Sequence, residues 1–114
     1  MERLQGFAPG CGYMTPGEHD AARRLVRAIL ARSMSIQVSD GEEDVLPLPS
    51  TDEDTIVSRL GSTGEDVLAA FAPDHKPVGI FSLIYGNAVD GSELVHDHTA
   101  NRTCFDIYAE AFPD

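Results

Sequence analysis

Positive charge is scarce over most of this 114-residue chain: residues 36 to 114 hold sixteen carboxylates against Arg59, Lys76 and Arg102, a local charge of −13. Such a field repels phosphate backbones and anionic lipid, which argues against direct binding of nucleic acid or a membrane and makes basic protein surfaces the expected partners. Long apolar runs are also missing, and none approaches the roughly 18 residues of a bilayer-spanning helix. The N-terminus lacks the basic-then-apolar layout of a secretory signal, so the expected location is cytoplasmic. Cysteine is limited to Cys11 and Cys104, in neither the CxxC spacing of a redox site nor the clustered spacing of a zinc site. Two unpaired thiols in a reducing compartment are expected, with a disulfide from the N-terminal arm to the last helix as the alternative. No internal repeat and no low-complexity segment is present.

What remains has the makings of a folded domain. Hydrophobic residues form 42% and charged residues 24% of the chain, so the acidity does not come with the depleted hydrophobicity of a disordered sequence. The length suits one domain. The cations are gathered early: residues 1 to 35 hold five arginines against Glu2, Glu18 and Asp20, a charge of +2.

Residues 1 to 14 contain three glycines and a proline without apolar period and read as an irregular arm, leaving a single domain over 15 to 114. That domain divides into an N-terminal helical unit, 15 to 33, and a core, 34 to 114. Thr15-Pro16-Gly17-Glu18 is a capping box with proline at the first helical position, predicting a helix from Pro16 to Ser33. Its apolar stripe is Ala22, Leu25, Val26, Ile29 and Leu30, with Arg23, Arg24, Arg27 and Arg32 on the flanks and last turn. Ile36 and Val38 alternate with polar residues, and Asp40-Gly41-Glu42-Glu43 turns the chain into a second strand, Asp44 to Leu48. Pro47 places that strand at a sheet edge. Ser50-Thr51-Asp52-Glu53 is a second capping-box pattern, opening a short acidic helix that Gly61 ends. Val67 to Ala72 and Val78 to Tyr85 predict a central hairpin, Glu93 to His98 a further strand, and Asn101 the cap of a helix from Arg102 to Phe112. The order α-ββ-α-βββ-α predicts an α+β fold with an antiparallel sheet of about five strands and helices mainly on one face.

Three groups of side chains are candidates for function. His96-Asp97-His98 lies on a strand, where alternation would put both imidazoles on one face, about 7 Å apart. With His75 or Asp97 they form the candidate metal or small-ligand site, for which a catalytic zinc would need a third ligand and an open position. Asp40, Glu42, Glu43 and Asp44 of the hairpin turn, with Asp52, Glu53 and Asp54 at the helix start, would present one continuous negative face. The pattern D-x-[DN]-x-[DN]-G is absent, which excludes an EF-hand loop, and the face suits electrostatic engagement of a basic partner. Arg23, Arg24 and Arg27 have two fates open to them: internal pairing with the acidic residues, or contact with the acidic body of another copy, which would make a salt-controlled homo-oligomer. No GxSxG elbow, phosphate loop or low-pKa cysteine environment is evident, so the expectation is a non-enzymatic protein without a cofactor.

The runs SIQVSDGEED, STDEDTIVSRLGST and GIFSLIYGNAVDGSELVHDHT together resemble an uncharacterised small acidic domain of proteobacterial chromosomes and mobile elements, covering residues 34 to 100. That resemblance carries over no activity and no catalytic residues. By size and charge the chain also resembles phage-encoded inhibitors such as anti-CRISPR and anti-restriction proteins. The second resemblance implies a protein-binding inhibitor that occupies a basic site on a nucleic-acid-handling protein, and the acidic face is the surface expected to do it.

Overall fold

Thr15 starts the first helix as the sequence pattern requires: its Oγ1 accepts from the Glu18 N–H at 3.1 Å, and Glu18 Oε1 accepts from the Thr15 N–H at 3.0 Å. The computed structural model describes residues 13 to 87 and 89 to 113. Its elements are α1 (Pro16–Leu30), β1 (Ser35–Ser39), β2 (Asp44–Ser50), α2 (Glu53–Ser58), β3 (Glu65–Phe71), β4 (Pro77–Ile84), β5 (Val95–His98) and α3 (Arg102–Ala111). The strands form one antiparallel sheet in the order β2-β1-β3-β4-β5, giving the α+β fold with the expected element order.

Alternation decides which face of the sheet is buried. Ile36 and Val38 of β1, Leu68 and Ala70 of β3, and Phe81 and Leu83 of β4 point to the same side and join Leu25, Val26 and Ile29 of α1, Ile56 of α2 and Ile107 of α3 in one core. The helices therefore cover that face. Pro47 and Pro49 both lie on β2, an edge strand whose outer side needs no donor. Of the N-terminal arm, residues 1 to 12 lie outside the described residues; Met14 is buried, and the Tyr13 N–H donates to the Gly61 carbonyl at 2.9 Å.

Several boundaries differ from the sequence expectation by one to three residues, four of them as follows. Helix α1 stops at Leu30 rather than Ser33, because Arg32 and Ser33 donate to the carbonyls of Ile29 and Leu30 in a tightened turn and Ser33 takes a left-handed φ of 62°. Helix α2 is capped by Asp52 rather than Ser50, which instead closes β2. Strand β3 begins at Glu65, two residues before the apolar run. Strand β5 begins at Val95 and carries an irregularity at His96, since Asp97 pairs with Ser82 while Val95 pairs with Leu83.

The start of α1 is seated by backbone-to-backbone contact. A Cβ on Gly17 would come within 2.2 Å of the Val89 carbonyl oxygen, and one on Gly91, at φ +79°, within 2.4 Å of the Gly17 carbonyl oxygen. Only glycine at both positions lets α1 meet the β4–β5 connection this closely.

Candidate functional site

The residues expected to form one acidic face occupy two separate places. The turn from Asp40 to Glu43 lies at one end of β2 and the start of α2 at the other, with the seven residues of Asp44–Ser50 between them, roughly 20 Å of extended chain. Each group has its own local chemistry.

At the start of α2 the carboxylates are engaged within the fold. Asp52 Oδ2 accepts from the Thr55 hydroxyl at 2.6 Å and the Thr55 N–H at 2.9 Å, which holds its carboxyl below the ordinary range. Glu53 lies between two arginines of α1: its Oε1 accepts from Arg27 Nε at 2.8 Å and its Oε2 from Arg23 Nη1 at 2.5 Å, and the arginines, Arg27 first, lower its pKa. Arg23 also reaches Asp54 Oδ1 at 3.0 Å. The other arginines of this region are engaged too. The Arg24 guanidinium stands 5.3 Å over the Phe112 ring, and Arg32 Nη2 donates to Glu110 Oε1 at 2.6 Å. Internal pairing is thus the arrangement the structure shows: the arginines of α1 and of the turn after it hold the start of α2 on one side and the C-terminal end of α3 on the other.

At the hairpin end the arrangement is different. Asp40 Oδ1 accepts from the N–H groups of Glu43 at 2.8 Å and Glu42 at 3.0 Å, which lowers its pKa and shapes the turn with Gly41 at φ 97°. Glu42, Glu43 and Asp44 are exposed, and none forms an ion pair with a described residue. Glu65, at the first position of β3, comes alongside, its Oε1 3.2 Å from where a Cβ of Gly41 would stand. Asp40, Glu42 and Glu65 line a shallow depression with Thr63 and Gly64. The apolar run alone starts this strand at Val67 and leaves Glu65 out of the expected site; its polar position just before that run is the available signal.

His98 is drawn into the aromatic packing of α3. Its ring centroid lies 5.0 Å from Phe105, 5.5 Å from Tyr108 and 5.7 Å from Phe81, and its Nδ1 is 2.9 Å from the Thr99 carbonyl oxygen. His96 is exposed at the irregularity of β5, and His75 is exposed in the β3–β4 turn with a φ of 69°. Among the described residues no group of three or more His, Cys, Asp or Glu side chains is arranged to hold a metal ion. Cys104 is buried in α3, where desolvation raises its thiol pKa; its pairing with Cys11 lies outside the described residues.

Two buried carboxyl groups also fall outside the sequence expectation. Glu18, read only as a capping residue, is fully buried and accepts from the Gly86 N–H at 2.9 and 2.8 Å as well. Asp66, 1% exposed, accepts through Oδ2 from the Tyr85 hydroxyl at 2.6 Å and the Gly61 N–H at 2.9 Å. Desolvation raises its pKa to about 6, against the opposing effect of those two donors. A carboxylate flanked by Glu65 and Val67 gives no sign in sequence that it faces inward.

Comparison with protein-family models, curated proteins and solved structures returns no match for this chain. Among the described residues no helix is long and apolar enough to cross a membrane.

Proposed function

We propose that the protein is a non-enzymatic acidic binding module that uses the hairpin end, Asp40, Glu42, Glu43 and Asp44 with Glu65, to occupy a basic site on a nucleic-acid-handling protein. One observation carries this reading: the arginines of α1 and of the turn that follows it are spent on Glu53, Asp54, Glu110 and the Phe112 ring, while the hairpin carboxylates have no ion-pair partner among the described residues. Those four arginines therefore leave the hairpin carboxylates unpaired; Arg59, the cation that comes near, donates to the Val45 carbonyl at 3.4 Å rather than to a carboxylate, and a field of one sign both steers and selects an oppositely charged surface. Inhibition of a nucleic-acid-binding effector, in the manner of an anti-CRISPR protein, is the concrete form of such an activity.

The reading requires competition with nucleic acid. In a pull-down at about 0.15 M salt, where surface charges more than about 8 Å apart are screened, the captured partner should elute with added nucleic acid and should be lost with Glu42→Lys/Glu43→Lys. Capture that survives both treatments contradicts the proposal.

A further inference from the structure

The sheet face opposite the helices departs from the usual pattern of an antiparallel sheet with one solvated side, in which that side is polar. On β3 and β4, two of the three inner strands, it carries Val67, Ala69 and Phe71 next to Ile80, Ser82 and Ile84, with Ala69 directly opposite Ile80, while the third inner strand, β1, adds Ser35, Gln37 and Ser39. Ile80 is 45% exposed, on the opposite side of β4 from the buried Phe81. Within the strands that carry this apolar strip the formal charge is of one sign. One cross-strand row runs through all five strands as Asp44, Ser39, Val67, Ser82 and Asp97, and paired residues share a face, so a carboxylate stands at each end of the row. Glu65, on the same face of β3 as Val67, adds a third. No lysine or arginine occurs in any of the five strands.

An apolar centre bounded by carboxylates has the anatomy of an interface, and charge complementarity limits its occupant. A second copy would bring its own acidic rim and a net charge of −11 to the contact. The stretch from Val67 to Phe71 measures roughly 13 Å, the length of about nine helical residues. Resting on the acidic-module reading above, we infer that the open sheet face docks an amphipathic helix of the partner, its apolar stripe on Val67, Ala69 and Ile80 and its flanking Lys or Arg side chains on Asp44, Glu65 and Asp97.

The test is an NMR titration of the isotope-labelled full chain with two synthetic peptides of one design. The first is a leucine–lysine amphipathic helix, and the second has glutamate in place of every lysine. The lysine peptide alone should shift the amides of Val67, Ala69, Ile80 and Ile84, and Ile80→Lys should weaken its binding at least about tenfold, the equivalent of about 1.4 kcal/mol. Circular dichroism checks the fold of that variant, and Ile80→Ser replaces it if the lysine disturbs folding. Glu42→Lys/Glu43→Lys separates the two proposals. Weakening by the hairpin variant but not by Ile80→Lys overturns the sheet-face inference and leaves the acidic module standing, whereas no effect from either overturns both. Failure of the lysine peptide to bind also overturns it. So does a dimer in sedimentation that Ile80→Lys dissociates, or a shift of the Ala69 and Ile80 amides on deleting residues 1 to 12, since either would assign this face another occupant.

Discussion

The Tyr85 hydroxyl donates to Asp66 Oδ2 at 2.6 Å, while Oδ1 of the same carboxyl is buried without a hydrogen-bond partner among the described residues. A carboxylate in that position is costly when ionised, and Asp40 and Glu65 nearby add like charge. Its folded pKa of about 6 lies above the ordinary 3.8. Because the folded pKa is raised, the stability this group contributes is fully present below the unfolded value and is lost as the pH rises through about 6. The difference amounts to about 3 kcal/mol by pH 7.5. Melting followed from pH 7.5 to 5 should show the wild type gaining several degrees more than Asp66→Asn, which keeps an acceptor for Tyr85 and Gly61 but does not titrate. Acidification also relaxes the overall negative charge, and the comparison with the variant removes that shared effect. Equal gains in the two proteins would contradict the assignment.

The clamp between α1 and α2 predicts a modest, salt-sensitive coupling. Arg23 and Glu53 keep 29% and 23% of their side-chain surface exposed, so their pairing is partly screened. A double-mutant cycle with Arg23→Ala and Glu53→Ala should give a coupling of about 0.5–1 kcal/mol that shrinks as salt is raised. Zero coupling at low salt would show that these arginines are not held as the structure places them.

Close backbone approach makes a sharper prediction. Gly17→Ala places a Cβ against the Val89 and Asp90 backbone, which cannot yield as a flexible side chain could. It should destabilise by about 1–3 kcal/mol, the usual range for overpacking. Gly64→Ala, whose Cβ would meet nothing within 4 Å, is the matched control and should melt close to wild type. Thermal or denaturant unfolding of the pair decides it.

The histidines allow a test by metal. His98 is packed among Phe81, Phe105 and Tyr108, and no group of three ligating side chains gathers around it among the described residues. Chelator and added zinc should both leave the melting temperature unchanged, whereas His98→Ala should lower stability by about 1 kcal/mol or more through lost ring contacts. A stoichiometric metal in the purified protein, removed by chelator with a fall in melting temperature, would contradict this arrangement.

The element order was legible because capping and periodicity are local signals. Thr15 and Asn101 cap their helices through contacts within three residues, and both are found where the pattern puts them. Pro47 marked an edge strand for an equally local reason, its missing N–H. The acidic site was less legible. Asp52, Glu53 and Asp54 look like neighbours of Asp40 and Glu43 on a charge map, but β2 separates the two groups, and long-range pairing with Arg23 and Arg27 decides which carboxylates remain open. Asp66 and the open sheet face were invisible for the same reason, since the facing of a residue within an apolar run depends on where its strand begins. The irregularity at His96 upset the alternation on which the shared face of the two imidazoles had rested.

Recognition depends on where the open carboxylates stand, and two variants of equal net charge put this to the test. The affinity of a flexible arginine-rich peptide should be measured across a salt series for the wild type, for Glu42→Lys/Glu43→Lys, and for Asp74→Lys/Glu93→Lys, which alters the total charge equally at other exposed positions. A loss of about tenfold at low salt for the hairpin variant, against less than about twofold for the other, is the result predicted for a localised field. Equal losses from the two variants would show that the peptide responds only to overall acidity, and the hairpin end would have no special part in binding.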